Sequence, residues 1–255
     1  MRIFNLIVKK ELLTYFSSPI AYSVILIFTL ISGTFCYTLV YLYGTQSFEI
    51  MRNAQFLGTQ ELTIGDHMVR PLFNNLAVIL MMIIPLLTMR LFAEEQKSGS
   101  IEYLFTWPIK NIELLMGKFV AAFTLFLLML LLTTPFFIYV SFFASLPVGH
   151  ITLAYLGLIL LGAGFISLGL FISSLTENQI VAAVITFGAS ILLWIINWTF
   201  SDYTGYLGSL SEYLSLVEHL DNFAKGTLDS RSIVYYISFI LTFLFLTLRS
   251  LEVRN

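Results

Sequence analysis

Charged residues are scarce in this sequence. They make up only 11% of the 255 residues, whereas hydrophobic residues make up 58%. Soluble domains carry about 25% charged and roughly 45–50% apolar residues, so a soluble fold is excluded and an integral membrane protein is predicted. The formal net charge of −2 leaves no basic surface for a nucleic acid partner.

Cysteine and histidine are also scarce. The only cysteine, Cys36, lies in an apolar run, which excludes a disulfide framework and a cysteine metal site. The three histidines, His67, His150 and His219, fall in three different predicted loops, and none has a second His or a Cys at ligand spacing. No metal site is therefore predicted on this chain.

Patterns that would carry catalysis are missing as well. Glu94 and Glu95 form a carboxylate pair, but an intramembrane protease would also need histidines at membrane depth, so a solvated charge run is favoured. Gly117 and Lys118 resemble the end of a phosphate-binding loop, yet the glycine five positions earlier is absent and Phe119 replaces Ser or Thr. Few charges lie within the apolar runs, so no proton relay is evident. We predict no catalytic residue here, and a membrane enzyme is the least favoured class.

Six apolar runs are long enough to cross a bilayer core of ~30 Å, which takes about 20 helical residues. They cover about residues 20–42, 72–93, 115–143, 151–175, 178–200 and 231–250. The prediction is an all-α integral membrane protein in which residues 1–255 form a single transmembrane domain. The third span is overlong and contains Pro135, so we expect it to tilt, to kink or to run past the interface. Six spans put both termini on the side that holds nine of the 13 Lys and Arg residues, so this side is predicted to be cytoplasmic.

The segment before the first span mixes apolar and charged residues. Met1–Phe16 carries Lys9, Lys10 and Glu11 among apolar side chains, a pattern typical of an amphipathic helix lying at the membrane interface. Ser18 and Pro19 should cap and begin the first span. The alternative is a plain helical extension of that span.

The fourth span is rich in glycine. Small side chains allow helix backbones to approach closely where lipid supplies no hydrophobic drive. We expect this packing within one chain, with a subunit interface as the less favoured alternative. The glycines are Gly157, Gly162, Gly164 and Gly169.

Charge is concentrated in the loop between the second and third spans. Gly99–Trp107 can form two turns of helix that end at Pro108, and Asn111 is expected to cap the next helix. The apolar face of these two turns would consist of Ile101, Leu104, Phe105 and Pro108. Such a helix fits a groove on another protein as well as it fits lipid headgroups, and the pattern alone leaves both open.

The residues of this loop also carry a resemblance to a known family. Their pattern is Met89-Arg90-x4-Glu95-x3-Gly99-x-Ile101-Glu102-x-Leu104-x3-Pro108-x8-Gly117-Lys118. It resembles the signature of ABC-2 type transporter permeases, and more narrowly that of the gliding-motility-associated ABC permeases. The turn Ser173–Val181 between the fourth and fifth spans is similar to the same subfamily.

The resemblance implies that this chain is a permease subunit and that it works with partner chains that hydrolyse ATP. Two permease chains, as a homodimer or with a related permease, would work with two cytoplasmic ABC ATPase subunits in a bacterial inner membrane. ATP and Mg would be held by the ATPase, so no cofactor is expected on this chain. An outer-face accessory protein is compatible with the subfamily. Export is the expected direction, and a membrane anchor without substrate flux is the alternative.

The resemblance also implies roles for particular residues. The ATPase-coupling set, centred on a coupling helix over Gly99–Trp107, would be Glu94, Glu95, Gly99, Ile101, Glu102, Leu104, Phe105 and Pro108. A smaller cytoplasmic contact would use Ser173, Ser174, Thr176, Glu177, Asn178 and Gln179. Spans two and five would line the pathway, with candidates Phe73, Met81, Met82, Phe187, Trp194 and Asn197. Ordinary helix packing is the favoured explanation of these apolar and aromatic candidates, and a packing hydrogen bond is the default explanation of Asn197.

Overall fold

The computed structural model describes residues 2–57, 63–99, 110–200 and 215–253, and all regular elements within these ranges are helical. A π-helical turn, Gly65–Val69, precedes α3. The α-helices are α1 (Arg2–Ser17), α2 (Pro19–Leu57), α3 (Arg70–Thr88), α4 (Arg90–Lys97), α5 (Asn111–Leu131), α6 (Thr134–Ser141), α7 (Val148–Leu175), α8 (Gln179–Phe200), α9 (Leu216–Ala224) and α10 (Ser230–Val253).

Five helical stretches are long and apolar enough to cross a membrane, which makes this a multi-pass membrane protein. They are Pro19–Arg52, Gly65–Lys97, Asn111–Ser141, Val148–Leu175 and Ser230–Val253. These stretches correspond to five of the six predicted spans, although the third predicted span, 115–143, runs past Ser141. The predicted fifth span falls in α8, whose described apolar part, Gln179–Ile195, is shorter. The sixth crossing therefore stays a prediction.

Helix boundaries follow proline more closely than they follow bilayer thickness. The third span is broken between Leu131 and Thr134, because Pro135 in the first turn of α6 cannot donate the backbone hydrogen bond that would continue α5. By contrast, α2 continues to Leu57, well past the predicted end near residue 42, since no proline interrupts it. The predicted cap at Asn111 is displaced by one residue: Lys110 is the extended cap residue and Asn111 begins α5.

Helix α7 is the centre of the bundle and packs against α3, α5, α8, α9 and α10. A Cβ atom on Gly162 would lie 2.2 Å from the ring of Phe126 in α5, and one on Gly169 would lie 2.1 Å from the Thr88 hydroxyl in α3. Only glycine admits these neighbours. The glycines of the fourth span thus serve packing within the chain, as favoured from the sequence.

Both ends of the described chain lie at one end of the bundle, here called the terminal end. Helix α10 runs parallel to α7, with Phe239 beside Gly164 and Phe243 beside Phe171. The last turn of α7 contacts α4, and α4 contacts α1, as described below. The opposite end, here called the distal end, contains α9 and the first turns of α3, α7 and α10.

An ion cluster marks the distal end. Asp221 of α9 accepts a hydrogen bond from Nη2 of Arg70 at 2.6 Å, a second one from its Nε, and pairs with Lys225 Nζ at 2.7 Å. Burial disfavours the charged carboxylate, but these two cations outweigh it, so the pKa of Asp221 lies below its ordinary value. The cluster fastens α9 to the start of α3.

Candidate functional site

The short helix α4 begins the charged central loop and is held by a serine from another helix. Ser173, near the end of α7, accepts hydrogen bonds from the backbone N–H groups of Phe92 and Ala93 at 3.1 Å each, and donates one to the Met89 carbonyl at 3.0 Å. The first N–H groups of a helix have no partner within it. The Ser173 hydroxyl supplies one and so acts as a cap from a distant part of the chain.

A second contact joins the same two helices one turn later. Gln96 is buried, and its Nε2 donates to the Ser174 carbonyl at 2.9 Å. This carbonyl belongs to the last turn of α7, where backbone acceptors lack helical partners. Each helix end thus satisfies orphan groups of the other, which makes α4 and α7 one rigid unit at the terminal end.

Four charged side chains, here called the Lys118 cluster, join three helices at the terminal end. Lys118 of α5 is only 1% exposed, and its Nζ lies 3.0 Å from Glu11 Oε1 in α1 and 2.9 Å from Glu95 Oε2 in α4. The same ammonium donates to the Leu91 carbonyl at 2.6 Å. Lys10 completes the cluster with its Nζ 3.0 Å from Glu95 Oε1. Two ammonium groups and two carboxylates balance, as a buried charge requires.

The N-terminal helix α1 is therefore fixed on the bundle. A Cβ on Gly117 would lie 2.6 Å from Ile7, so α1 and α5 are in close contact. The buried Tyr15 hydroxyl donates to the Leu87 carbonyl at 2.8 Å, and the Arg90 guanidinium lies 5.0 Å from the centre of the Tyr15 ring. Burial lowers the pKa of Lys10, but attraction to Glu95 raises it more, so that it lies above the ordinary value. The predicted break before Pro19 is present, and α1 is a separate helix.

An apolar cleft of about 650 Å³ lies between α2, α3 and α8. Its described lining contains no charged side chain and includes Ile31 and Phe35 from α2, Met82 and Leu86 from α3, and Phe187 from α8. A cleft of this kind offers apolar contact and few polar groups, which suits a hydrophobic molecule or a hydrophobic helix face.

A comparison with models of known protein families identifies the family of this chain. The family described as ABC-2 family transporter protein matches residues 6–248, nearly the whole chain. This chain is an ABC-2 family protein. A search of curated proteins found no match. The family supports a membrane permease subunit that is not itself catalytic and implies a cytoplasmic ABC ATPase as its partner. The narrower gliding-motility resemblance stays a prediction.

The residues predicted for ATPase coupling in this ABC-2 permease fall into two groups. Glu94 is exposed on α4, whereas Glu95 points into the Lys118 cluster. Gly99 has a φ of 68°, the left-handed conformation with which glycine commonly ends a helix, so α4 stops there. The remaining predicted members, Ile101, Glu102, Leu104, Phe105 and Pro108, lie outside the described residues.

The residues predicted for the smaller cytoplasmic contact lie partly in the interior of the helix bundle and partly on its surface. Ser173 and Ser174 are fully buried and hold α4, so they face the fold and not a partner. Their neighbours Thr176–Gln179 form the turn at the surface. Within that turn, Asn178 Oδ1 accepts from the Ile180 N–H at 3.0 Å and caps α8. The contact prediction is thereby confined to the turn.

Only some of the pathway candidates line the apolar cleft. Met82 and Phe187 line the apolar cleft. Phe73 is fully buried between the rings of Phe137 and Tyr155, and Met81 is buried as well, so helix packing accounts for both. Trp194 is partly buried against the hydrophobic core. The side chain of Asn197 lies outside the described part of α8.

Sequence reasoning missed the role of Lys118 and Glu11. In the sequence, Lys118 belongs to an incomplete phosphate-loop match and to the family pattern, and Glu11 is one charge of an amphipathic helix; neither pattern pairs the two residues. A lysine that follows a short loop into a long apolar run needs a buried partner, and this was the available signal. Among the described residues, no group of three or more His, Cys, Asp and Glu side chains could hold a metal ion.

Proposed function

We propose that this chain is the permease subunit of an ATP-driven ABC-2 exporter. Two copies, as a homodimer or with a related permease, work with two cytoplasmic ATPase subunits that hold ATP and Mg. Gly99–Trp107, followed by Pro108, serves as the coupling helix, and the turn Thr176–Gln179 makes a smaller contact with the ATPase. Both termini and the terminal end of the bundle face the cytoplasm, and the chain crosses the membrane six times.

The Lys118 cluster is the observation that carries this proposal. The cluster joins α4, the helix that directly precedes the proposed coupling helix, to α1 and α5. Ser173 and Gln96 join α4 to α7. A force applied to the segment after Gly99 therefore reaches four helices at once. Packed cores switch between discrete arrangements and do not deform smoothly, so ATPase closure would move these helices as rigid bodies.

The path from the coupling helix to the cleft is short. Helix α3 passes into α4 at Met89, whose N–H still donates to the Pro85 carbonyl at 2.9 Å. Pro85 and Met82 of α3 line the apolar cleft. Movement of α4 would thus change the wall of the cleft, where a hydrophobic or lipid-like cargo would be bound by apolar contact.

The test is a double substitution on the proposed coupling helix. Glu102→Lys with Leu104→Asp should abolish stimulation of the co-purified ATPase by the permease while the chain remains folded in detergent. The control is Glu252→Lys with Val253→Asp, which makes the same charge changes at exposed positions of α10 at the terminal end. Full stimulation in the first variant would remove the docking assignment.

Movement of cargo across the membrane distinguishes an exporter from the alternative, a membrane anchor without substrate flux. Vesicles reconstituted with permease and ATPase should export a hydrophobic fluorescent lipid when supplied with ATP. A Met82→Asp variant should reduce this flux, because it places a charge in the apolar cleft. ATPase activity that is stimulated by the permease but moves no cargo would favour the anchor.

A further inference from the structure

A groove runs along the N-terminal helix α1 where this helix packs on α5, and it is here called the α1 groove. Its volume is about 610 Å³, within the range of roughly 300–1,000 Å³ that is usual for sites that hold small molecules. It shares no lining residue with the apolar cleft and no member with the Lys118 cluster. The described lining consists of a floor, Phe4, Val8, Leu12 and Phe16, a rim, Asn5, Lys9 and Leu13, and Val120 of α5.

The floor and the rim follow from the spacing of residues in α1. The floor residues recur every four positions, which places them on one face of the helix, and all of them are half-buried. They span ~18 Å at about 1.5 Å per residue. The rim residues recur at the same spacing one position later and are exposed. The floor is therefore an elongated apolar strip, which suits a hydrocarbon chain.

The α1 groove lies at the level where two membrane spans begin. Helix α1 ends at Ser17, and α2, which starts a candidate span, begins at Pro19. On its other side α1 contacts the second turn of α5, where a Cβ on Gly117 would lie 2.6 Å from Ile7. An amphipathic helix at such a position lies in the interface between lipid headgroups and acyl chains. Lipid molecules are therefore within reach of the groove.

Lys9 gives the groove a positive charge that no carboxylate in its described lining balances. Lys9 is exposed, and its ammonium makes no ion pair or hydrogen bond with another residue of the described chain. The next residue, Lys10, points away from the groove, with its Nζ 3.0 Å from Glu95 Oε1. The carboxylate of Glu11 is paired with Lys118 at 3.0 Å. The rim thus offers one ammonium and the amide of Asn5 to an anionic group.

The polar content of the groove distinguishes between possible occupants. A peptide brings one backbone donor and one acceptor with most residues, and these groups need partners once water is excluded. Only Asn5 and Lys9 are available for them. A hydrocarbon chain needs no such partner and gains free energy from each CH₂ group that it buries. A zwitterionic headgroup would bring its own ammonium next to Lys9, whereas an anionic headgroup meets attraction alone.

We propose that the α1 groove binds one anionic phospholipid, with its phosphate at Lys9 and Asn5 and one acyl chain along the floor, between α1 and Val120 of α5. Lysine suits this place because its apolar stem lies along the groove while its ammonium reaches the headgroup. The bound lipid braces α1 against α5, the two helices that the Lys118 cluster also joins. The permease builds this site by itself, so the proposal does not depend on the ATPase or on transport.

Photo-cross-linking locates the lipid. The purified permease in neutral detergent is mixed with phosphatidylglycerol that carries a diazirine in one acyl chain, and the labelled peptides are identified by mass spectrometry after irradiation. Labelling of residues 4–16 and of the region around Val120 should be several-fold stronger than labelling at Val234 and Leu241. These two residues are 61% and 60% exposed on α10 and report contact with bulk lipid. Equal labelling at both places would overturn the proposal.

Substitutions separate the headgroup from the acyl chain. Lys9→Gln should lower the labelling of the groove several-fold, to the level that phosphatidylcholine with the same diazirine chain gives. Lys97→Gln, at an exposed position of α4 outside the lining, is the matched control and should change nothing. Leu12→Trp fills the floor and should also lower the labelling, whereas Leu6→Trp, at a 65% exposed position outside the lining, should not. Unchanged labelling in Lys9→Gln would overturn the headgroup assignment, and unchanged labelling in Leu12→Trp the assignment of the acyl chain.

Thermal unfolding gives a second readout, since a ligand that binds only the folded state raises Tm. Phosphatidylglycerol should raise the Tm of the natural permease more than phosphatidylcholine does. Lys9→Gln should lose this difference, and Lys97→Gln should keep it. A difference that persists in Lys9→Gln would contradict the site. Loss of the groove labelling when the ATPase is added would assign the groove to the partner protein and would contradict a bound lipid.

Discussion

Substitution of Lys118 by methionine should destabilise the protein more than any other single change in the Lys118 cluster. The variant removes an ammonium that lies 3.0 Å from Glu11 and 2.9 Å from Glu95. Glu95 keeps Lys10 at 3.0 Å, whereas Glu11 is left with Lys10 at only 3.7 Å. A buried carboxylate without its partner costs about 3–5 kcal/mol.

The measurement is thermal unfolding of the purified permease in detergent. At about 2–4 °C per kcal/mol for a domain of this size, Lys118→Met should lower Tm by about 6–20 °C. Lys10→Met is the matched control, because the Lys10 side chain is 58% exposed and an exposed pair contributes less than about 1 kcal/mol.

A triple variant tests whether the loss of stability in Lys118→Met comes from carboxylates left without a partner. Lys118→Met with Glu11→Gln and Glu95→Gln removes the buried ammonium and both carboxylates together, so that only the exposed Lys10 keeps its charge and no buried charge is left without a partner. The triple variant should therefore recover much of the Tm that Lys118→Met loses. Equal Tm values for Lys118→Met and Lys10→Met, or no recovery in the triple variant, would refute a role for buried charge pairing.

Three further outcomes are expected. Ser173→Ala leaves two N–H groups of α4 without their acceptor and should cost about 1–3 kcal/mol in chaotrope unfolding; an unchanged midpoint would contradict the cap. Gly162→Ala should lower the yield of folded protein because its methyl group meets the Phe126 ring, whereas Gly188→Ala has open space among the described residues and should not. Asp221 has a pKa below its ordinary value of 3.8 in the folded protein, so the charged carboxylate stabilises the fold fully above pH 3.8 and less as the pH falls through the folded pKa. The Tm of the natural protein should therefore drop in that acid range. The Tm of Asp221→Asn should lack this drop.

The sequence was sufficient for features that depend on neighbouring residues. Apolar runs predicted where the long helices lie, and Ser18 with Pro19 predicted a separate N-terminal helix. Pro135 left a tilt, a kink or an overrun open for the third span, and the structure has the break. The sequence did not show that the helix continues beyond the first predicted span, because bilayer thickness limits only the part of a helix inside the membrane, and α2 runs on to Leu57.

Contacts between residues far apart in the chain could not be predicted from the sequence. Glu11 and Lys118 are 107 positions apart, and Ser173 and Phe92 are 81 apart. Their residue types gave no unique pairing, since two glutamates and two lysines can be matched in several ways. Only the packing of α1, α4 and α5 around one ammonium selects among these pairings.

The Lys118 cluster also imposes an order on how the protein is made. Translation places α1 at the membrane long before α5 exists, so Glu11 waits without Lys118 while the intervening helices are inserted. Lys118 in turn enters the membrane region as a costly charge until α1 closes over it. The contact between α1 and α5 therefore cannot be completed before α5 is made, and until then Lys118 and Glu11 are each without the partner that neutralises them in the fold.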